Sequence, residues 1–114
     1  MVTAPKDHSR HLDDLLHNPD KIGIEGVRYA TKELLVKRPD GSTQTDIDLF
    51  YSTNLGLWIV EYKASPHLDK AIKQLRAGYQ FIKKEFGEGP RALYVVSPKY
   101  LRQEIPRDLL KDSY

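Results

Sequence analysis

No cysteine occurs in these 114 residues, which removes disulfides, thiolate metal sites and cysteine nucleophiles together. Long apolar runs are missing too, and nothing approaches the roughly 18 consecutive residues of a membrane-spanning helix. The first residues, MVTAPKDHSRHLDDLL, lack the basic-then-apolar pattern of a secretory signal, so an intracellular location is the expectation. There is no glycine-rich phosphate loop, no Gly-x-Ser-x-Gly elbow and no recognisable Ser/His/Asp set. Nor is charge of one sign abundant, because the formal net charge is only +2. With 39% hydrophobic and 30% charged residues, the composition is that of one soluble globular domain, expected to span 1–114 with a single core.

The charge is unevenly placed. Glu61 to Glu85 carries six Lys or Arg against three acids, whereas Met1 to Glu25 carries five acids against three Lys or Arg. A locally basic helix attracts phosphates without making the whole chain basic, although a solvated helix face has the same composition.

Periodicity supplies the elements. A first helix is expected from about Asp7 to His17, with Leu12, Leu15 and Leu16 at helical spacing. HNPD ends it, since the residue before Pro19 is pushed out of helical geometry. Residues 20–31 are ambiguous, and Gly23 and Gly26 argue against a long helix there. ELLVKRPDGSTQTDIDLFY reads as two strands around a PDG turn, and STNLG leads into a third strand, LWIVEYKA. Ser65 and Pro66 would cap and open the next helix. In that helix Leu68, Ile72, Leu75, Tyr79, Ile82 and Phe86 form one apolar stripe, and Gly87 supplies a stop. RALYVVSP reads as a central, buried strand, and KYLRQEIPRDLLKD as a last helical segment interrupted at Pro106. The order predicted is α-β-β-β-α-β-α: an α/β domain with a mixed central sheet flanked by helices.

Four charges fall where a core strand would carry Val or Ile: Asp46, Asp48, Glu61 and Lys63. Alternation puts Asp46 and Asp48 on one face of the second strand, and Glu61 with Lys63 on one face of the third. A short turn joins the strands, so the Asp48 and Glu61 carboxylates can converge. Two like charges in a half-buried site are costly unless a cation joins them. Two hard oxygen donors without His or Cys suit Mg²⁺ or Mn²⁺ far better than zinc. Lys63 would point into the same pocket, where an ammonium can orient a water and stabilise developing charge on a phosphate. The competing reading is an exposed sheet face with a Glu–Lys cross-pair.

Asp48, Glu61-x-Lys63 on consecutive strands, then a helix bearing Gln74, resembles the PD-(D/E)XK nuclease superfamily. The stretch TDIDLFYSTNLGLWIVEYKAS…AIKQL looks most like its archaeal-type branched- or mismatch-DNA endonucleases and nuclease-related domains. The resemblance covers roughly residues 7–105. It implies a restriction-endonuclease-like core, with Asp48 and Glu61 as metal ligands and the Tyr62 backbone carbonyl completing the shell. It also implies Lys63 as the catalytic lysine and Gln74 beside the site. The superfamily usually has a glutamate on the first helix as a further ligand. That helix here offers Asp13 and Asp14, and Asp14 is the candidate additional ligand. His8, His11 and His17 do not repeat at i, i+4 and are not read as a metal site.

The function expected is therefore Mg²⁺- or Mn²⁺-dependent hydrolysis of DNA phosphodiesters, with Gln74 positioning the attacking water. Lys70, Lys73 and Arg76, with Lys32, Lys37 and Arg38, are the candidates for phosphate contacts, which would be largely independent of sequence. One chain holds one such site, so cutting both strands of DNA implies a homodimer. The alternatives are a non-catalytic module of the same fold that binds DNA or protein, the catalytic fragment of a larger DNA repair or restriction enzyme, and an interaction protein with a fortuitous Asp…Glu-x-Lys. Trp58, Tyr62 and Tyr94 are expected in the core.

Overall fold

A computed structural model of the chain describes residues 4–63 and 68–106. The first helix, α1, is Ala4–His17, and its Leu12 and Leu15 are fully buried. Its last carbonyls, which no helical N–H can reach, are taken up locally. Asn18 donates its backbone N–H to the Asp14 carbonyl, His17 Nδ1 bonds the Asp13 carbonyl, and the buried Tyr51 hydroxyl donates to Leu15 at 2.7 Å. A 3-10 turn, Pro19–Ile22, follows and stops at Gly23, whose φ of +77° suits a residue without Cβ. A Cβ there would also sit 2.6 Å from Arg102 Nη1, which donates to the Ile22 carbonyl.

Strands β1 (Val27–Lys37), β2 (Thr43–Thr53) and β3 (Gly56–Tyr62) form an antiparallel meander. Helix α2 (Leu68–Phe86) crosses over to β4 (Ala92–Val96), which runs parallel to β3. β5 (Arg102–Glu104) is antiparallel to β4, and the sheet order is β1-β2-β3-β4-β5. The PDG segment forms the expected turn, with Gly41 N–H donating to the Arg38 carbonyl. All of β4 is buried, as its unbroken apolar run predicts. α2 follows most of its apolar spacing: Leu75 and Ile82, together with Ala71, are fully buried, Ile72 and Tyr79 are half-buried, and Phe86 at the end is exposed. Gly78 lies among them and lets α2 approach the sheet, since a Cβ there would meet Ile47 Cγ1 at 3.0 Å.

The sheet separates two cores. On the α2 side lie Val36, Ile47, Phe50, Ile59, Leu75 and Leu93; on the α1 side lie Leu12, Leu15, Leu49, Tyr51, Val60 and Tyr62. Each such side chain contributes about 1.5–3 kcal/mol on burial. Ile47 and Phe50 share a side although three positions apart, and Leu49 faces the other way. The strict alternation of β2 is therefore broken at Asp48. β1 shifts phase with it. Lys32 pairs with Leu49 and Leu34 with Ile47, and Glu33 between them has a φ of +56°.

Two expectations change. The segment after Ser97 is not a helix over 99–106: a turn closes through Tyr100 N–H to the Ser97 carbonyl, and β5 follows. Pairing with the open hydrogen-bonding edge of β4 outweighs the weak helical pattern of KYLRQEI, so the sheet has five strands and the order ends β4-β5. The ambiguous residues 20–31 hold most of the 3-10 turn and nearly half of β1, which begins earlier than ELLVK suggests. The expected cap at Ser65 and Pro66, and the end of the last segment, lie outside the described residues. Tyr62 and Tyr94 are buried as expected, whereas Trp58 is only half-buried.

Candidate functional site

The four charges sit at a fork in the sheet. β2 and β3 pair from Thr53–Gly56 to Leu49–Val60 and no farther. β3 keeps its parallel partner beyond that point, through Tyr62–Val96 and the bond from Lys63 N–H to the Val96 carbonyl. Side chains replace the missing ladder. Asp48 N–H donates to Glu61 Oε2 at 3.1 Å, and Tyr62 N–H donates to Asp48 Oδ2 at 2.8 Å. Each carboxylate thus satisfies a backbone donor that the parting strands would leave orphaned.

The pair is deeply placed. Glu61 is 0% exposed and Asp48 4%. Burial pushes the Asp48 carboxyl above its ordinary range, against the opposing pull of the Tyr62 N–H. Glu61 is pushed up further, first by burial and then by the neighbouring Asp48 charge. Its Oε1 is buried without a hydrogen-bond partner. Buried carboxylate oxygens normally have partners, so this atom is the unexplained feature of the site.

Lys63 directly follows β3, beside the pair. Its Nζ lies 3.9 Å from Glu61 Oε1 and donates to Gln74 Oε1 on α2 at 2.5 Å. The expected set of Asp48, Glu61, Lys63 and Gln74 is therefore brought together from three elements. Gln74 differs from expectation in what it holds: its carbonyl oxygen fixes the lysine.

Asp14 is not part of this group. Its carboxylate is engaged by the Tyr100 hydroxyl at 2.7 Å, by Lys21 Nζ at 2.9 Å and by Asn18 Nδ2 at 2.9 Å. The Tyr100 bond, then Lys21, holds its carboxyl down at about 2. What α1 turns toward the fork is His8, whose Nε2 is 3.5 Å from Asp48 Oδ2. Its ring packs edge-on against Tyr62, and the His11 ring stacks on the same tyrosine at 5.1 Å. Sequence spacing set these histidines aside. The missed signal was that 8, 11, 12 and 15 form one helical stripe, so two imidazoles lie on the buried face. Among the described residues, no three His, Asp or Glu side chains are gathered as a ready metal-binding cluster.

The donors fit a hard divalent cation in kind: two neighbouring carboxylates, one with an oxygen lacking a hydrogen-bond partner, and no sulfur. Mg²⁺ is commonly held by one or two carboxylates, with water and substrate phosphate completing its shell.

Of the phosphate candidates, Lys37, Arg38, Lys73 and Arg76 line a single groove between the β1–β2 hairpin and α2. Lys70 joins Lys73 and Arg76 in an adjoining hollow. Lys32 faces the other way, with Nζ 2.6 Å from Asp13.

No protein-family model matches the chain. Over 89 residues, 76% of the chain, it is 38% identical to nucleus-vacuole junction protein 2 of Saccharomyces cerevisiae. That alignment covers 11% of the yeast protein, so the chain spans about a tenth of its relative's length. No helix among the described residues is long and apolar enough to cross a membrane.

Proposed function

We propose that this domain hydrolyses DNA phosphodiester bonds with a divalent cation, on a restriction-endonuclease-like core. The observation that carries the reading is the Asp48–Glu61 pair at the β2–β3 fork, with a Glu61 oxygen that accepts no hydrogen bond beside Lys63. The meander, the helical crossover and the parallel β3–β4 pair support that core. Asp48 and Glu61, with the Tyr62 carbonyl that the superfamily resemblance adds, would hold Mg²⁺ or Mn²⁺. Such a cation supplies a water of lowered pKa and neutralises phosphate charge. Lys63, restrained by Gln74, donates to a phosphate oxygen or to the attacking water and stabilises charge as it develops. The lysines and arginines of the groove hold the backbone of the nucleic acid. Paired cutting of a duplex would engage two copies of the chain.

A second reading has an observation of its own. Both carboxylates already accept backbone N–H groups, so the fork needs them even without chemistry. The domain would then be a binding module within a longer chain, as the partial match to a much longer yeast protein suggests.

Cleavage of labelled duplex, flapped and four-way-junction DNA with Mg²⁺, Mn²⁺ or EDTA separates the two. Metal-dependent cutting that falls at least 100-fold in Lys63→Ala and in Asp48→Asn, both still folded, supports the nuclease. No cutting by wild type with any metal, alongside DNA binding equal in all three proteins, leaves the module.

A further inference from the structure

The groove between the β1–β2 hairpin and α2 has a composition that backbone contact alone does not require. It encloses about 660 Å³. Its rim carries Lys37, Arg38, Lys73, Arg76 and Lys84 against the single acid Glu85. Its apolar lining is Val36, an exposed Pro39, and the half-buried Ala77 and Phe81. Lys73 and Lys84 have no ion-pair or hydrogen-bond partner among the described residues, whereas Lys37 and Arg38 are steadied by Thr43 and Ser42. The cationic line continues to Lys70 through the adjoining hollow, and Lys70 to Lys84 spans about 21 Å of helix.

We infer that this groove takes single-stranded nucleic acid, its phosphates on the Lys and Arg rim and a base against Phe81. A duplex keeps its base faces stacked inside, so it would use the rim and leave the apolar lining without a partner. An unpaired strand offers both chemistries at once, and stacking on an aromatic ring is tolerant of sequence because every base has a π-face. Lys73 on the rim precedes Gln74 in α2, and Gln74 holds Lys63, so one helix carries both the groove and a residue of the fork. The inference deepens the proposed nuclease by naming its substrate as DNA with an unpaired segment, but it concerns binding and is tested without metal.

The test is fluorescence anisotropy in EDTA with a labelled oligo-dT strand and a mixed-sequence duplex of equal length. Wild type, Phe81→Leu and Lys73→Ala/Lys84→Ala are compared, with thermal melts to confirm folding. Leucine retains most of the apolar volume and removes only the aromatic face. The expected result is at least tenfold tighter binding of the single strand, and a loss of about tenfold in Phe81→Leu confined to it. The double lysine variant should weaken binding to both and flatten the salt dependence by about two counterions. Equal or tighter binding of the duplex, or single-strand binding indifferent to Phe81→Leu, overturns the inference. So does the absence of binding to either. Metal-dependent cutting of plain duplex with no strand preference would sink this inference and leave the nuclease standing; strand binding without cutting would do the reverse.

Discussion

Glu61→Gln should make the domain more stable at neutral pH, although it removes the most deeply placed carboxylate. Glutamine has the same length, and its carbonyl oxygen can still accept the Asp48 N–H that Glu61 now accepts at 3.1 Å. The substitution also removes the acid that wild type sets against the Asp48 charge. The wild-type side chain must either bury a charge whose Oε1 accepts no hydrogen bond or carry a proton well above its ordinary value of 4.5. An unsatisfied buried polar group costs about 1–3 kcal/mol, and the substitution should recover a sum of that order. Unfolding entropy is about 2.1 cal/mol/K per residue. For a chain of 114 residues, each kcal/mol then moves the melting temperature by about 4 °C, so the expected rise is about 4–12 °C.

The pH dependence carries a definite sign. The folded carboxyl is raised, so the folded state binds more protons than the unfolded one and wild-type stability falls as pH rises from 4.5 toward the folded value. Below 4.5 both states are protonated and the advantage of glutamine should vanish; above the folded value it should be constant and largest. Thermal melts of both proteins from pH 4 to 8 in EDTA measure this. A variant no more stable than wild type at pH 7, or a difference that ignores pH, would refute the account of Glu61 as a strained acid. Adding Mn²⁺ extends the test: binding to the folded state should raise the wild-type melting temperature and leave Glu61→Gln unmoved.

Two further outcomes follow from the packing. Gly78→Leu should destabilise by more than about 1–3 kcal/mol in urea denaturation, because its first added carbon already meets Ile47 at 3.0 Å and Ile59 at 3.4 Å. Tyr100→Phe removes the hydroxyl that donates to Asp14 and meets His11 Nδ1 at 3.0 Å. The Asp14 carboxyl should then rise from about 2 toward 3.8 in an NMR titration. The lowered acid stabilises the fold above pH 3.8 and loses that contribution as pH falls toward 2. At so exposed a site the stability change should stay under about 1 kcal/mol.

Local order carried much of this protein. The 3.6-residue stripe of α2, the PDG turn, the apolar run of β4 and the Pro19 boundary of α1 each reflect interactions among neighbours in the chain, so sequence alone determined them. The association of Asp48, Glu61, Lys63 and Gln74 was legible for the same reason, since these residues lie on consecutive elements joined by short connections. Tertiary structure decided the rest. β5 exists because β4 offers an open edge, a property of the sheet that KYLRQEI does not encode. The break in alternation at Asp48 is shared with Glu33 on a neighbouring strand, and no single-strand pattern reveals it. Asp14 was drawn to Tyr100, 86 residues away, and His8 took the place beside Asp48. The groove unites residues 36–44 with 73–85. Periodicity tells which face of an element is buried; what that face meets depends on contacts distant in sequence, formed only when the elements pack.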